Sequence, residues 1–379
     1  MVVTKPKILE LCQFSAGICG VWTRVLEESK RLSSLGYEVR VFSSNATKGS
    51  DKIACDEENI SNVKIKRFNF RKLGGESFMR WNFEKAALDY SPDIIIVHVY
   101  RHPHTTKALK IKNKLMKQGK NCKVFLVTHA PFVQDNSTRG FIAKLFVKLY
   151  DRFIGPRNLK RFDKIIYISN WEIPYLLSLG AEKSKLEYIP NGIPEEFFKN
   201  SSLAKEDNKI LFIGRISPIK DLETPIRAMA LMRDKKTILE IVGPAEEEYL
   251  LKLKRIITEL KLEKQVKFSP AIYELNKKIK KLDSCKIFIL SSKKEGMPQS
   301  IIEAMARQKI VLGSNIPAIQ DLVEDKVNGY LFEQGNEKNC SAKLNSIMVG
   351  DSTSLKKKAR ASVEKFEWSK IIKKIEALF

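Results

Sequence analysis

The sequence predicts an α/β protein made of two doubly wound domains facing a cleft. Three observations carry this. Short apolar runs alternate with helix-length amphipathic segments along the whole chain, the pattern of parallel strands covered on both faces. The chain has 379 residues, more than one ordinary domain needs. A polar, turn-rich stretch, PNGIPEEFFKNSSLAKEDNK (190–209), interrupts the series near its middle, and the strand–helix pattern restarts after it.

Taken in order, KILELCQF (7–14) reads as a buried strand, followed by a loop holding Gly17 and Gly20. An amphipathic helix runs from about Val21 to Leu35, and Gly36 ends it before the strand EVRVFSS. VKIKRF (63–68), DIIIVHV (93–99), KVFLVTH (123–129), KIIYIS (164–169) and LEYIP (186–190) continue the series. Beyond the polar stretch, ILFIG (210–214) is a strand, and the helix after it ends near Asp234. TILEIVG (237–243), QVKFS (265–269), KIFILSS (286–292) and IVLGS (310–314) are further strands. The tail FEWSKIIKKIEALF (366–379) is an amphipathic helix that needs a partner surface. The expected organisation is a Rossmann-like acceptor-side domain over 1–195 and a Rossmann-like second domain over 196–362. The helix 363–379 is expected to pack back on the first domain. In open α/β sheets ligands bind beyond the carboxyl ends of the strands.

Composition narrows the partners. Sixty-eight Lys and Arg against 44 Asp and Glu give a formal net charge of +24, which suits anionic partners, although a lysine-rich composition alone also produces it. The six cysteines show no Cys-x-x-Cys spacing, which argues against a zinc or redox motif and for buried free thiols in a reducing compartment. The start MVVTKPKILELCQF has no leader pattern, and IIIVHVY is too short to cross a bilayer. A cytoplasmic protein, peripheral at the inner membrane face, is expected.

Two motifs carry chemistry. In FIGRISPIKDLETPIRAM (212–229), Gly214 closes a strand and allows a tight backbone turn, while Arg215 and Lys220 place two cations on one loop. A guanidinium fork and an ammonium suit a diphosphate, although an isolated pair of this kind is more often simply solvated. In KKEGMPQSIIEAMARQK (293–309), a helix begins near Pro298, and its free N–H groups suit an anion. Glu295 precedes that start and Glu303 lies in the second turn, tilted back towards it. A carboxylate repels phosphate but accepts paired hydroxyl donors, so each glutamate fits a sugar diol. The plainer reading is an exposed helix residue and a charge favoured by the dipole.

GRISPIK followed by EGMPQSIIEAM resembles the retaining GT-B glycosyltransferases of family 4, the group 1 type. ISNWEIPYLLSLGAEKSKLEYIPNGI (168–193) and VNGYLFEQGN (327–336) extend the resemblance over nearly the whole chain. It implies that the second domain binds a nucleotide sugar, UDP- or GDP-linked, and that no cofactor is used. Gly214, Arg215 and Lys220 would hold the donor diphosphate. Glu295, with the backbone of Gly296, Met297, Pro298 and Gln299, would hold the transferred sugar, and Glu303 the ribose. The Gly17–Gly20 loop would approach the phosphates from the first domain, although AGICG lacks the adjacent glycines common in the family. His129 matches a histidine placed near the reacting sugar, so that His129, Glu295, Arg215 and Lys220 form the implied catalytic set. The implied reaction retains anomeric configuration by front-face attack assisted by the leaving phosphate. The metal-dependent Asp-x-Asp motif is missing, and metal independence is expected. The acceptor would be a glycan or lipid-linked.

HVYRHPH (98–104) gathers three histidines, but no carboxylate or cysteine lies close in sequence to complete a metal site. RGFIAKLFVKLYDRFIGPRNLKRF (139–162) fits either a basic amphipathic surface on anionic membrane or a buried helix with a solvated basic face. KKIKKLDSCK reads as a solvated charge run. Two alternatives stand beside the leading one. One keeps the fold with an epimerase or phosphorylase reaction. The other is a nucleic-acid-binding protein, which calls for a basic stripe with interleaved aromatics; the sequence lacks one, so nucleic acid is not an expected partner.

Overall fold

The computed structural model describes residues 5–17, 19–73, 78–131, 141–199 and 207–379. The chain divides into two compact units, Met1–Asn191 with Ile371–Phe379, and Gly192–Lys370.

The first unit contains strands β1 (Lys7–Phe14), β2 (Glu38–Ser44), β3 (Glu57–Ile60), β4 (Val63–Phe68), β5 (Phe70–Lys72), β6 (Met79–Trp81), β7 (Ile94–His98), β8 (Lys123–Val127), β9 (Lys164–Tyr167) and β10 (Leu186–Tyr188). Eight of them form one sheet in the order β10-β9-β8-β7-β1-β2-β4-β3. All neighbours are parallel except β3, which runs antiparallel to β4. Ile94, Ile95, Ile96 and Val97 of β7 are all buried, as a central strand covered on both faces requires. The antiparallel β3 and the β5–β6 hairpin were not expected. β3 reads EENI, is largely exposed and has no alternation of its own; its pairing comes from β4.

The second unit contains β11 (Asp207–Ile213), β12 (Ile238–Val242), β13 (Val266–Ser269), β14 (Cys285–Leu290), β15 (Ile310–Ser314) and β16 (Tyr330–Phe332). They form one all-parallel sheet in the order β13-β12-β11-β14-β15-β16. Where β11 and β12 end, a Cβ at Gly243 would overlap the Gly214 carbonyl, and Gly243 itself has φ 149°. The tight position is therefore Gly243; Gly214 was expected to turn the backbone, but its own φ is not left-handed.

Of the stretch 190–209, residues 200–206 lie outside the described residues, and the part before them is not simply a solvated connector: Asn191, Ile193 and Phe197 are buried. Gly192 lies against the indole of Trp368, and Ile193 exchanges backbone bonds with Phe366 (2.8 Å) and Trp368 (3.2 Å). The helix Trp368–Glu376 buries Ile371, Ile372 and Ile375. In the first unit, Phe379 meets Tyr37 edge-on at 5.3 Å and stacks on Phe125 at 6.4 Å. Cys12, Cys122, Cys285 and Cys340 are buried thiols in no disulfide, while Cys19 is half-buried and Cys55 exposed. Among the described residues no helix is long and apolar enough to cross a membrane.

Candidate active site

Each sheet has one point where strand order reverses, the place where doubly wound sheets bind ligands. In the second sheet it lies between β11 and β14, in the first between β1 and β7. The expected site residues fall beyond these strands, except His129, which follows β8.

In the second unit, Gly214 follows β11 directly, and Lys220 ends a short turn, Pro218–Lys220. The loops after β11 and β14 are tied together: Ser291 Oγ donates to the Lys220 carbonyl (2.8 Å) and Lys293 N to that of Ile219 (2.8 Å). These bonds carry Glu295 to Lys220, whose Nζ lies 2.5 Å from Glu295 Oε1, and Ser292 Oγ donates to the same oxygen at 2.6 Å. Sequence reading gave the two residues separate ligands; the fold makes them an ion pair. Arg215 is 64% exposed and only loosely paired with Glu246, at 3.9 Å, so its guanidinium is available to an anion.

Pro298 was expected in the first helical turn. It is the extended residue just before it (ψ 96°), and the helix runs Gln299–Ala306. Met297 beside it is buried. Glu303 is not an exposed helix residue: it is buried, and Lys278 lies 2.6 Å from Oε1 and 2.5 Å from Oε2. Lys278 belongs to KKIKKLDSCK, read above as a solvated run. Three of its lysines are instead anchored: Lys278 on Glu303, Lys281 on Glu240 (2.8 Å) and Lys286 on the Met348 carbonyl (2.7 Å).

In the first unit, Gly17 has φ 82° and a Cβ there would overlap the Lys48 backbone, so the loop requires glycine at 17. Gly20 opens the helix Gly20–Ser34 in open space and carries no such requirement. His129 lies two residues beyond β8. Both His129 (φ 55°) and Ala130 (φ 51°) are left-handed, a conformation that costs non-glycine residues free energy. Glu172 holds this turn: Oε2 accepts from Thr128 Oγ1 (2.6 Å) and Ala130 N (3.1 Å), and Oε1 from Ile168 N (2.9 Å) and Ser169 N (3.1 Å).

The four histidines of the chain, His98, His102, His104 and His129, gather at the ends of β7 and β8. The carboxylate that sequence proximity lacked comes from β1: Glu10 Oε2 lies 2.7 Å from His98 Nε2. His98 Nδ1 lies 2.8 Å from His129 Nε2. His104 Nε2 donates to the His98 carbonyl (2.9 Å), and His102 Nδ1 lies 3.4 Å from Gln13 Oε1. Among the described residues no three ligating side chains converge on one point. Burial is the largest influence on all four rings and disfavours the imidazolium, pushing His98 and His102 down to about 3, His104 to about 4, and His129 well below its usual range. Beside Glu10, Arg24 pairs with Glu28 (3.2 Å) and donates to Ile189 O (3.1 Å) and Asn191 Oδ1 (3.0 Å). Sequence reading missed Glu10, Arg24, Glu28 and Glu172.

Comparison with known proteins decides the family. Residues 18–197 match the model of Glycosyltransferase Family 4, and residues 194–365 that of Glycosyl transferases group 1. The chain belongs to the group 1, family 4 type of GT-B glycosyltransferases. An uncharacterised glycosyltransferase of Haemophilus influenzae is 32% identical over 179 residues, 46% of this chain and 48% of that relative, so the chain spans about half its length. An uncharacterised glycosyltransferase of Methanocaldococcus jannaschii is 26% identical over 392 residues, covering 96% of this chain and 95% of that one. Among solved structures, Anabaena HepE in complex with UDP and glucose shares the fold, with a TM-score of 0.72, 19% identity, and 98% and 99% of the two chains covered. In this chain the two family matches meet at residues 194–197, a few residues past the structural division after Asn191.

Proposed function

We propose that this glycosyltransferase moves a hexose or related sugar from a UDP- or GDP-linked donor to a glycan or lipid-linked acceptor. The anomeric configuration is retained and no metal is required. The observation that carries the reading is the arrangement at the switch point of the second sheet. There Lys220 and Glu295 are paired at 2.5 Å, just ahead of the helix that bears Glu303. An ammonium has three donors and Glu295 engages one, so Lys220 spans from the carboxylate to a diphosphate oxygen. Arg215 and the helix N–H groups complete the diphosphate site. Glu295 and Glu303 accept from sugar and ribose hydroxyls on either side. Charge grows on the leaving diphosphate in the transition state, and Arg215 and Lys220 stabilise it there, the role otherwise given to a metal. The leaving phosphate takes the acceptor proton, and His129 is given the part at the reacting sugar that the family resemblance implies. UDP is the nucleotide to try first, since the fold neighbour HepE holds it.

The reading includes a peripheral place on anionic membrane. Leu145, Phe146, Leu149, Phe153 and Ile154 are exposed in one segment together with Lys148 and Arg152. Arg101 anchors that segment through both oxygens of Asp151 (2.9 and 2.6 Å). Exposed apolar side chains interleaved with cations suit an anionic interface. Arg139 and Gly140, the first two residues of the stretch 139–162, lie outside the described residues.

A thermal-shift screen against UDP- and GDP-sugars, followed by NMR of the product anomer and assay with chelator, tests the proposal. A stabilising donor, a retained anomer and chelator-insensitive turnover are expected. An inverted anomer, or no response to any donor, overturns it.

A further inference from the structure

We propose that Glu10, His98 and His129 form a proton relay that carries the proton released during sugar transfer from the site surface to a buried carboxyl pair, Glu10 and Glu28. The inference rests on the proposed part of His129 at the reacting sugar. It adds a path for the proton once the leaving phosphate has received it.

The geometry is a continuous chain. Glu10 Oε2, His98 Nε2, His98 Nδ1 and His129 Nε2 are linked by contacts of 2.7 and 2.8 Å, so both nitrogens of His98 are committed. Only two proton arrangements leave every link hydrogen-bonded and both rings neutral. With Glu10 ionised, His98 Nε2–H donates to Glu10, His129 Nε2–H donates to His98 Nδ1, and His129 Nδ1 is an acceptor. With Glu10 protonated, every bond reverses and His129 Nδ1 carries a hydrogen. Moving from the first state to the second takes one proton in at His129 Nδ1. It passes the Nε2 hydrogen of His129 to His98 Nδ1, and the Nε2 hydrogen of His98 to Glu10. No ring becomes charged and one proton is gained at the carboxyl, so the step balances.

The surroundings favour this end point. Glu10, His98 and Glu28 are fully buried, and an imidazolium there is strongly disfavoured. Burial pushes Glu10 up to about 8 and Glu28 to about 7, with Arg24 opposing both. One guanidinium beside two carboxyls within hydrogen-bond reach of each other accounts for a pair that takes up and returns a proton near neutral pH. The other titratable groups facing the chain are Cys12 on the same strand, and His102 and His104 beyond β7.

Two measurements test the relay. In the first, 15N NMR of histidine-labelled full chain follows both rings from pH 6 to 9. The relay predicts that His98 and His129 exchange tautomers together through this range, that E10Q fixes one tautomer, and that E10D restores the exchange. Tautomers unmoved by pH in a folded wild type overturn the relay even if the enzyme is active. In the second, turnover is measured with the best donor. E10Q is expected to lower kcat about tenfold or more and to abolish the neutral limb of its pH profile, with donor KM unchanged. A variant whose pH profile matches wild type overturns the catalytic part. If wild type transfers no sugar, the proposed function fails while the NMR arm still decides the relay.

Discussion

Glu303→Gln separates donor binding from chemistry. The substitution preserves length and shape but removes the charge from a side chain that is 7% exposed and held by Lys278 at 2.6 Å. A hydrogen bond to a charged group contributes about 1.5–3 kcal/mol. At about 1.4 kcal/mol per tenfold, losing one from Glu303 to a ribose hydroxyl raises donor KM roughly ten- to a hundredfold. The ribose does not change charge in the reaction, so the interaction is uniform between ground and transition states and kcat should hold within about twofold. Lys278 loses its partner, but its side chain is a quarter exposed and water takes over, so Tm should move little. Initial rates against donor at saturating acceptor, with a melting curve of the variant, provide the assay. An unchanged KM with a lowered kcat would place Glu303 in the chemistry and refute the reasoning.

Other perturbations follow from the same geometry. Glu295→Gln, which leaves Lys220 without its counter-ion, should lower kcat more than it raises donor KM in the same assay. Gly192→Ala pushes a Cβ into the Trp368 indole; overpacking of this kind costs about 1–3 kcal/mol, read as a lower midpoint in urea unfolding. Arg307→Met strands Asp283, which it now grips through two bonds of 2.8 Å, and should cost about 3 kcal/mol by the same measurement. The four histidines have folded pKa values below their unfolded value of 6.5. The unfolded chain therefore binds more protons, and stability should fall as pH drops below about 6.5, continuing towards about 3. Urea midpoints between pH 4 and 7 check this, and a flat profile contradicts the buried neutral cluster.

The sheets were legible because their strands are short apolar runs that must be covered on both faces; IVLGS matched β15 residue for residue. The loops after β11 and β14 stood out because charge clusters at strand ends, as in GRISPIK. What was missed depends on partners distant in sequence. Glu10 stands in the midst of KILELCQF, and a carboxyl in so apolar a strand must find a partner; that was the available signal, but His98 lies 88 residues away. Lys278 was hidden in a run of like charges, and only the packing of Leu275–Asp283 near Gln299–Ala306 distinguishes it from its exposed neighbours. β3 has no apolar pattern at all, so nothing in EENI announces pairing. Pairing of Lys220 with Glu295 spans 75 positions and follows from β11 and β14 being neighbours.

The central claim is that a nucleoside diphosphate binds at the switch point of the second sheet. Isothermal titration of UDP and GDP into the full chain, with Arg215→Ala and Glu303→Gln alongside, tests it most directly. The account predicts saturable one-to-one binding of at least one nucleotide, weakened about tenfold or more in each variant. Variants that bind as tightly as wild type, or a wild type that binds neither nucleotide, would contradict it.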